Sequence, residues 1–190
     1  YQYGAFVALG TVADVVELRG ENRAIVRKGL ESLENCCFPG VHALLEVSGC
    51  REKKVDAAAL AFGLAPRINA AGRMEQTNKA VELLLSEDEE EARELAEELD
   101  QLNTERRKIE QEISESIGEV IRQNPQLLYE RVLIVAGENW HQGVIGIIAS
   151  KVVEKYGKPC VLISINGEEA KGSARSVEGY SIVDAFSRCS

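Results

Sequence analysis

Aromatic side chains make up only 5% of these 190 residues, and no apolar run approaches the ~20 residues that a membrane span requires. A helical membrane protein is therefore excluded as the reading of this stretch. The opening Tyr1-Gln2-Tyr3 has no basic segment and no cleavage-like stretch follows, so nothing here reads as a secretory leader. Positive charge is in short supply. The 22 Lys and Arg are outnumbered by 31 Asp and Glu, for a net charge of −9. A surface basic throughout is thus excluded, and any nucleic-acid contact must be local, through a few Arg and Lys or a metal-bridged carboxylate. The two histidines, His42 and His141, are far apart in the chain. The five cysteines are odd in number and lack metal-ligand spacing: Cys36-Cys37 are adjacent, and Cys50, Cys160 and Cys189 stand alone. Reduced thiols of a cytoplasmic protein are the expectation.

Ala, Val, Leu and Ile instead dominate, and 45% of the residues are hydrophobic, enough for one core or two small ones. Residues 5–16 read as a continuous apolar strand that ends near Asp14. Helices are expected over 22–33, over 40–47 behind Pro39, and over 57–64 with Asp56 as N-cap. Because the residue before a proline is biased away from helix, 66–74 is expected to be a loop. Ser86 and Glu89 fit a capping box. Beyond them comes the clearest periodicity in the chain, with Ala92, Leu95, Ala96, Leu99, Leu102, Ile109, Ile113, Ile117 and Ile121 at helical spacing. Asn124-Pro125 ends that long helix. A strand (131–136), a helix (143–156), a second strand (159–165) and another strand over 171–176 follow. The boundary falls near Leu127, separating an α-rich first lobe (1–126) from a small α/β lobe (127–190).

Four places could carry chemistry. Asp14, at the end of an apolar strand, is a hard oxygen ligand for magnesium or manganese, or else an aspartate capping a turn or pairing with Arg19 or Arg23. Arg67 and Arg73 share the small-residue segment PRINAAGRM. Their guanidinium forks suit phosphate oxygens, or they pair with the plentiful carboxylates. WHQGVIG sits between a strand and a helix. There the helix amides favour an anion and His141 could donate to a phosphate or act as acid or base. Alternatively, the glycines only allow close packing and Trp140 is a core plug. In GSARS, Ser173 and Arg175 project from one face of a strand, with Ser176 beyond, an arrangement that could grip a terminal phosphate. A surface strand without a ligand is the alternative. His42 is assigned to structure or solvent.

Taken in order, LGTVADVVELRGENRAIVRKGL, AFGLAPRINAAGRM, ELDQLNTERRKIE, WHQGVIGIIASKVVEKYGKP and GSARS resemble the RecJ family of the DHH phosphoesterase superfamily. The pieces run from Ala8 to Ser176. Each is modest alone, and their order and spacing make the resemblance specific. It implies an α/β fold in which the α-rich end of a DHH domain is joined by a long helix to a small α/β DHH-associated domain. It implies 5′-to-3′ exonuclease activity on single-stranded DNA in recombination and repair, with manganese or magnesium, and single-strand-binding protein as a partner. Carried over, Asp14 is a metal ligand, Ser173 and Arg175 hold the 5′ phosphate, Arg73 and Arg67 lie along the DNA path, and His141 stands beside the active cleft.

The Asp-x-Asp and Asp-His-His motifs of that family are absent from these residues, as is its later Gly-Gly-His segment. The expectation is a chain truncated at both ends relative to the family, and inactive alone. Two rival readings are a DHH phosphoesterase for short oligonucleotides or cyclic dinucleotides and a non-catalytic replication scaffold. GSARS and WHQG weigh against the first, and Asp14 against the second.

Overall fold

The computed structural model describes residues 3–33, 37–51 and 55–189, and the chain divides into two compact units, Tyr1–Glu105 and Arg106–Ser190. Cys36 lies outside the described residues.

The first unit is helical. α1 (Gly4–Ala13) and α2 (Gly20–Leu33) pack closely, and α3 is Pro39–Val47. The α1–α2 contact depends on Gly29, where a Cβ would stand 2.4 Å from both Ala8 Cβ and the Gly4 carbonyl oxygen. α1 replaces the strand expected over 5–16. Its apolar residues run nearly all round, so alternation gave no guide. The buried set Ala5, Ala8 and Leu9 is at helical spacing and meets the core. Asp56 caps as expected, its Oδ1 accepting from Ala59 N at 2.8 Å.

A π-helical stretch, Ala59–Leu64, then runs directly into α4 (Ala65–Arg73). The loop expected over 66–74 is therefore a helix. Pro66 is the second residue of α4, directly after the π-helical stretch. The buried Leu60, Leu64, Ala65, Ala70 and Ala71 pull the segment onto the core and override the bias on the residue before proline. α5 is Thr77–Leu85.

The long helix, α6, spans Glu89–Gln123. In place of the expected Ser86/Glu89 capping box, Asp88 caps the helix and its own N–H donates to Ser86 Oγ. Asp88 Oδ1 accepts from Glu91 N at 2.8 Å, while Ser86 Oγ donates to the Glu91 carboxylate at 2.6 Å. Ala92, Ala96, Leu99 and Leu102 belong to the first unit's core, together with Leu44, Leu60, Leu64 and Leu83. Ile113, Ile117 and Ile121 belong to the core of the second.

That second core is built under a three-stranded sheet ordered β1 (Leu133–Glu138), β2 (Cys160–Asn166), β3 (Glu169–Arg175). β1 and β2 are parallel and joined through α7 (Gln142–Tyr156), whereas β2 and β3 form an antiparallel hairpin. Pro125–Tyr129 is a 3-10 turn and α8 is Ile182–Ser187. Leu133, Val135, Val144, Ile148, Cys160 and Leu162 are fully buried or nearly so. Glu110 is also buried here. It pairs with Arg106 at 2.8 Å and with Lys151. Among the described residues no helix is long and apolar enough to cross a membrane.

Candidate functional site

Asp14 stands at the C-terminus of α1, not at the end of a strand. Asp14 N donates to Gly10 O, Val15 N to Val12 O and Val16 N to Thr11 O, which closes the helix in a Schellman pattern. The left-handed position of that pattern, usually glycine, is Val15 at φ 56°. A β-branched side chain is strained in that region, so the turn is held by its surroundings. One restraint is visible: Asn69 Nδ2 donates to Ala13 O at 3.3 Å. Ala13, Asp14, Val15, Asn69, Gly72 and Arg73 line one open depression of about 370 Å³. The structure thus brings Asp14 and Arg73 together, and adds Asn69, which the sequence reading passed over because it took 66–74 for a loop.

Arg67 takes a different course. Its Nη1 donates to Gly63 O at 2.6 Å, its Nη2 to Val47 O at 3.1 Å, and Nη2 lies 2.7 Å from an Asp100 carboxylate oxygen. The side chain is 13% exposed. This guanidinium is engaged by carbonyls and a carboxylate of its own unit, the alternative left open above.

In the second unit His141 is the N-cap of α7, and its Nδ1 accepts from Gly143 N at 3.2 Å. An accepting Nδ1 places the proton of the neutral ring on Nε2. Trp140 beside it is buried, and its carbonyl accepts from the buried Ser164 Oγ at 2.7 Å. Gly137 makes room for the indole, since a Cβ there would lie 2.2 Å from it. His141, Trp140, Glu138, Asn139, Ile109 and Glu112 line a groove of about 390 Å³.

Ser173 and Arg175 face α7 from β3, because their register partners on β2 are the buried Leu162 and Cys160. Arg175 Nη1 donates to Ser173 Oγ at 3.3 Å and to Ala174 O at 2.8 Å. Its Nε donates to Ser150 Oγ on α7 at 3.2 Å. Ser176 Oγ donates to Tyr180 O at 2.5 Å and is turned into its own loop. Cys160, opposite Arg175, is an inert packing residue, since burial pushes its thiol up to about 11. Cys37, Cys50, Cys160 and Cys189 are free thiols. With Nε and Nη1 engaged inside the unit, the Arg175 guanidinium keeps the N–H groups of Nη2 to offer a phosphate oxygen at the rim of the sheet.

A divalent metal centre is not assembled by the described residues. No group of three or more His, Cys, Asp or Glu stands close enough to hold an ion, and Asp14 is a single carboxylate beside Arg73. Such a donor set falls short of the oxygen ligands that magnesium or manganese takes.

Residues 124–190 match the DHHA1 domain family. Over 184 residues, 96% of its length, the chain is 42% identical to the single-stranded-DNA-specific exonuclease RecJ of Bacillus subtilis (strain 168), of which it spans 23%. Two crystal structures of RecJ from Thermus thermophilus superpose on 99% of the chain at 34% identity. The magnesium complex does so with a TM-score of 0.83 and the manganese complex with 0.86, the chain spanning 29% and 27% of them. Over nearly its whole length, then, this chain is similar in sequence and in its mixed α/β fold to RecJ exonucleases, of which it spans about a quarter.

Proposed function

We propose that this chain is part of a metal-dependent exonuclease that degrades single-stranded DNA from the 5′ end in repair and recombination. In this reading Ser173 and Arg175 hold the 5′ phosphate. Arg73 contacts the strand, and Asp14 is one ligand to a manganese or magnesium ion whose other ligands lie outside the described residues. His141 offers Nε2–H to a phosphate oxygen. A single-strand-binding protein is the partner and the cytoplasm the location. The family domains divide at 126/127. Arg67, already engaged, is the weakest member of the DNA path, and Ser176 adds little to the phosphate grip.

The observation that carries the reading is the Arg175 guanidinium set between Ser173 and Ser150 in a chain that aligns with RecJ along 96% of its length. Bound metal in such enzymes supplies charge stabilisation and an activated water. This chain's own residues supply strand binding and orientation. A single carboxylate is too little to retain an ion, so the isolated chain releases no mononucleotides.

The test is a titration with fluorescent single strands carrying either a 5′ phosphate or a 5′ hydroxyl, at low salt, with Arg175→Ala alongside. Tighter binding of the phosphorylated strand, lost in the variant, is the expected result. Equal affinity for the two strands in the unmodified chain would sink the assignment of the phosphate to Ser173 and Arg175.

A further inference from the structure

Two residues of α7, one helical turn apart, decide how Arg175 is held. Ser150 Oγ accepts from Arg175 Nε at 3.2 Å and itself donates to Gly146 O at 3.3 Å. The hydroxyl is therefore fixed by the helix backbone before it meets the guanidinium. With Nη1 committed to Ser173 Oγ and Ala174 O, the remaining edge of the fork lies against Gly146. A Cβ at 146 would stand 3.2 Å from Arg175 Nη2 and 3.2 Å from Ser173 Oγ. That is tight enough to push one or both aside by a few tenths of an ångström.

We infer that Ser150 and Gly146 are the positioning residues of this phosphate subsite: Ser150 fixes the rotation of the Arg175 fork, and Gly146 keeps its Nη2 edge clear. The inference rests on the proposed role of Ser173 and Arg175. The physical reason is geometric. With Nε and Nη1 engaged, only the Nη2 N–H groups remain for a phosphate oxygen, and a guanidinium free to turn about its last torsion must be ordered on binding before it can present them. Discrimination between a 5′ phosphate and a 5′ hydroxyl should therefore depend on a helix residue that never touches the DNA.

The readout is the ratio of Kd values for the 5′-hydroxyl and 5′-phosphate strands, because a general loss of fold or of backbone binding moves both and leaves the ratio unchanged. Ser150→Ala should lower the ratio about fivefold, the equivalent of one hydrogen bond. Ser150→Thr, which keeps the hydroxyl, should retain it. Gly146→Ala should lower it by a similar factor, although alanine is the better helix former, so a weakened helix cannot be the cause. An unchanged ratio in Ser150→Ala alongside a lost one in Arg175→Ala would overturn this inference and leave the subsite reading standing. A loss in Ser150→Thr as large as in Ser150→Ala would also overturn it, assigning the effect to packing on α7. No effect of Arg175→Ala would overturn both.

Discussion

Glu110 offers the sharpest test of how the second unit is held together. Its side chain is 10% exposed and that of Arg106 13%, whereas Lys151, which pairs with the same carboxylate, is 60% exposed. The two pairs should therefore differ in energy although both look like salt bridges. Glu110→Gln removes the charge of one partner from the buried Arg106 guanidinium. Removing one member of such a pair costs about 3–5 kcal/mol, and the amide's retained shape puts this case near 3. Lys151→Ala removes a mostly hydrated ammonium and should cost about 1 kcal/mol or less.

Trp140 is the one tryptophan in the sequence and is 6% exposed within this unit, so its fluorescence reports the unit's unfolding in urea. With a slope of about 1 kcal/mol per M for a unit this small, Glu110→Gln should move the midpoint down by about 3 M, or unfold the unit without urea. The double replacement Arg106→Met with Glu110→Met, which leaves no orphaned charge, should recover most of the loss. A shift below about 0.5 M for Glu110→Gln, or an equal shift for Lys151→Ala, would refute the reasoning.

Other outcomes follow from the same structure. Arg67→Met strips donors from Gly63 O and Val47 O and a partner from Asp100. It should destabilise the first unit by about 2–4 kcal/mol in thermal unfolding followed by far-ultraviolet circular dichroism. Arg73→Ala, at an exposed position, should stay within about 0.5 kcal/mol in the same experiment and instead weaken single-strand binding. Gly29→Val drives a side chain into Ala8 and the Gly4 carbonyl, and should cost about 3 kcal/mol by forcing α1 and α2 apart. Cys37 and Cys189 should react with a thiol reagent in the native chain, and Cys160 only on unfolding. The Cys160 thiol is raised from about 9 to about 11 by burial. Its contribution to stability is therefore complete below pH 9 and lost as the pH rises toward 11, visible as an alkaline fall in the Trp140 transition. A Trp140 midpoint unchanged between pH 8 and pH 10.5 would contradict that burial.

The division between what the sequence determined and what needed the folded chain follows physical lines. α6, α7, β1 and β2 were legible because their signals are local: long apolar periodicity, a proline stop after Asn124, and a short apolar run on either side of a helical one. α1 was not legible. Its residues are apolar on nearly every side, and only the seat of Ala8 against Gly29 shows which geometry buries them. α4 was hidden by a local rule about proline that holds for an isolated dipeptide and yields when the preceding turns are already helical and packed.

The site divides in the same way. Residue types and their order placed Asp14, Arg73, Ser173 and Arg175 among the candidates. Arg67 and Arg73 stand six residues apart in one motif and look alike in sequence. On a helix that spacing turns them about 240° from each other, and the core takes one guanidinium while the surface keeps the other. Ser150 could not be joined to Arg175 from sequence at all. They lie 25 residues apart on a helix and a strand, and only the packing of α7 on β3 brings hydroxyl and guanidinium within 3.2 Å.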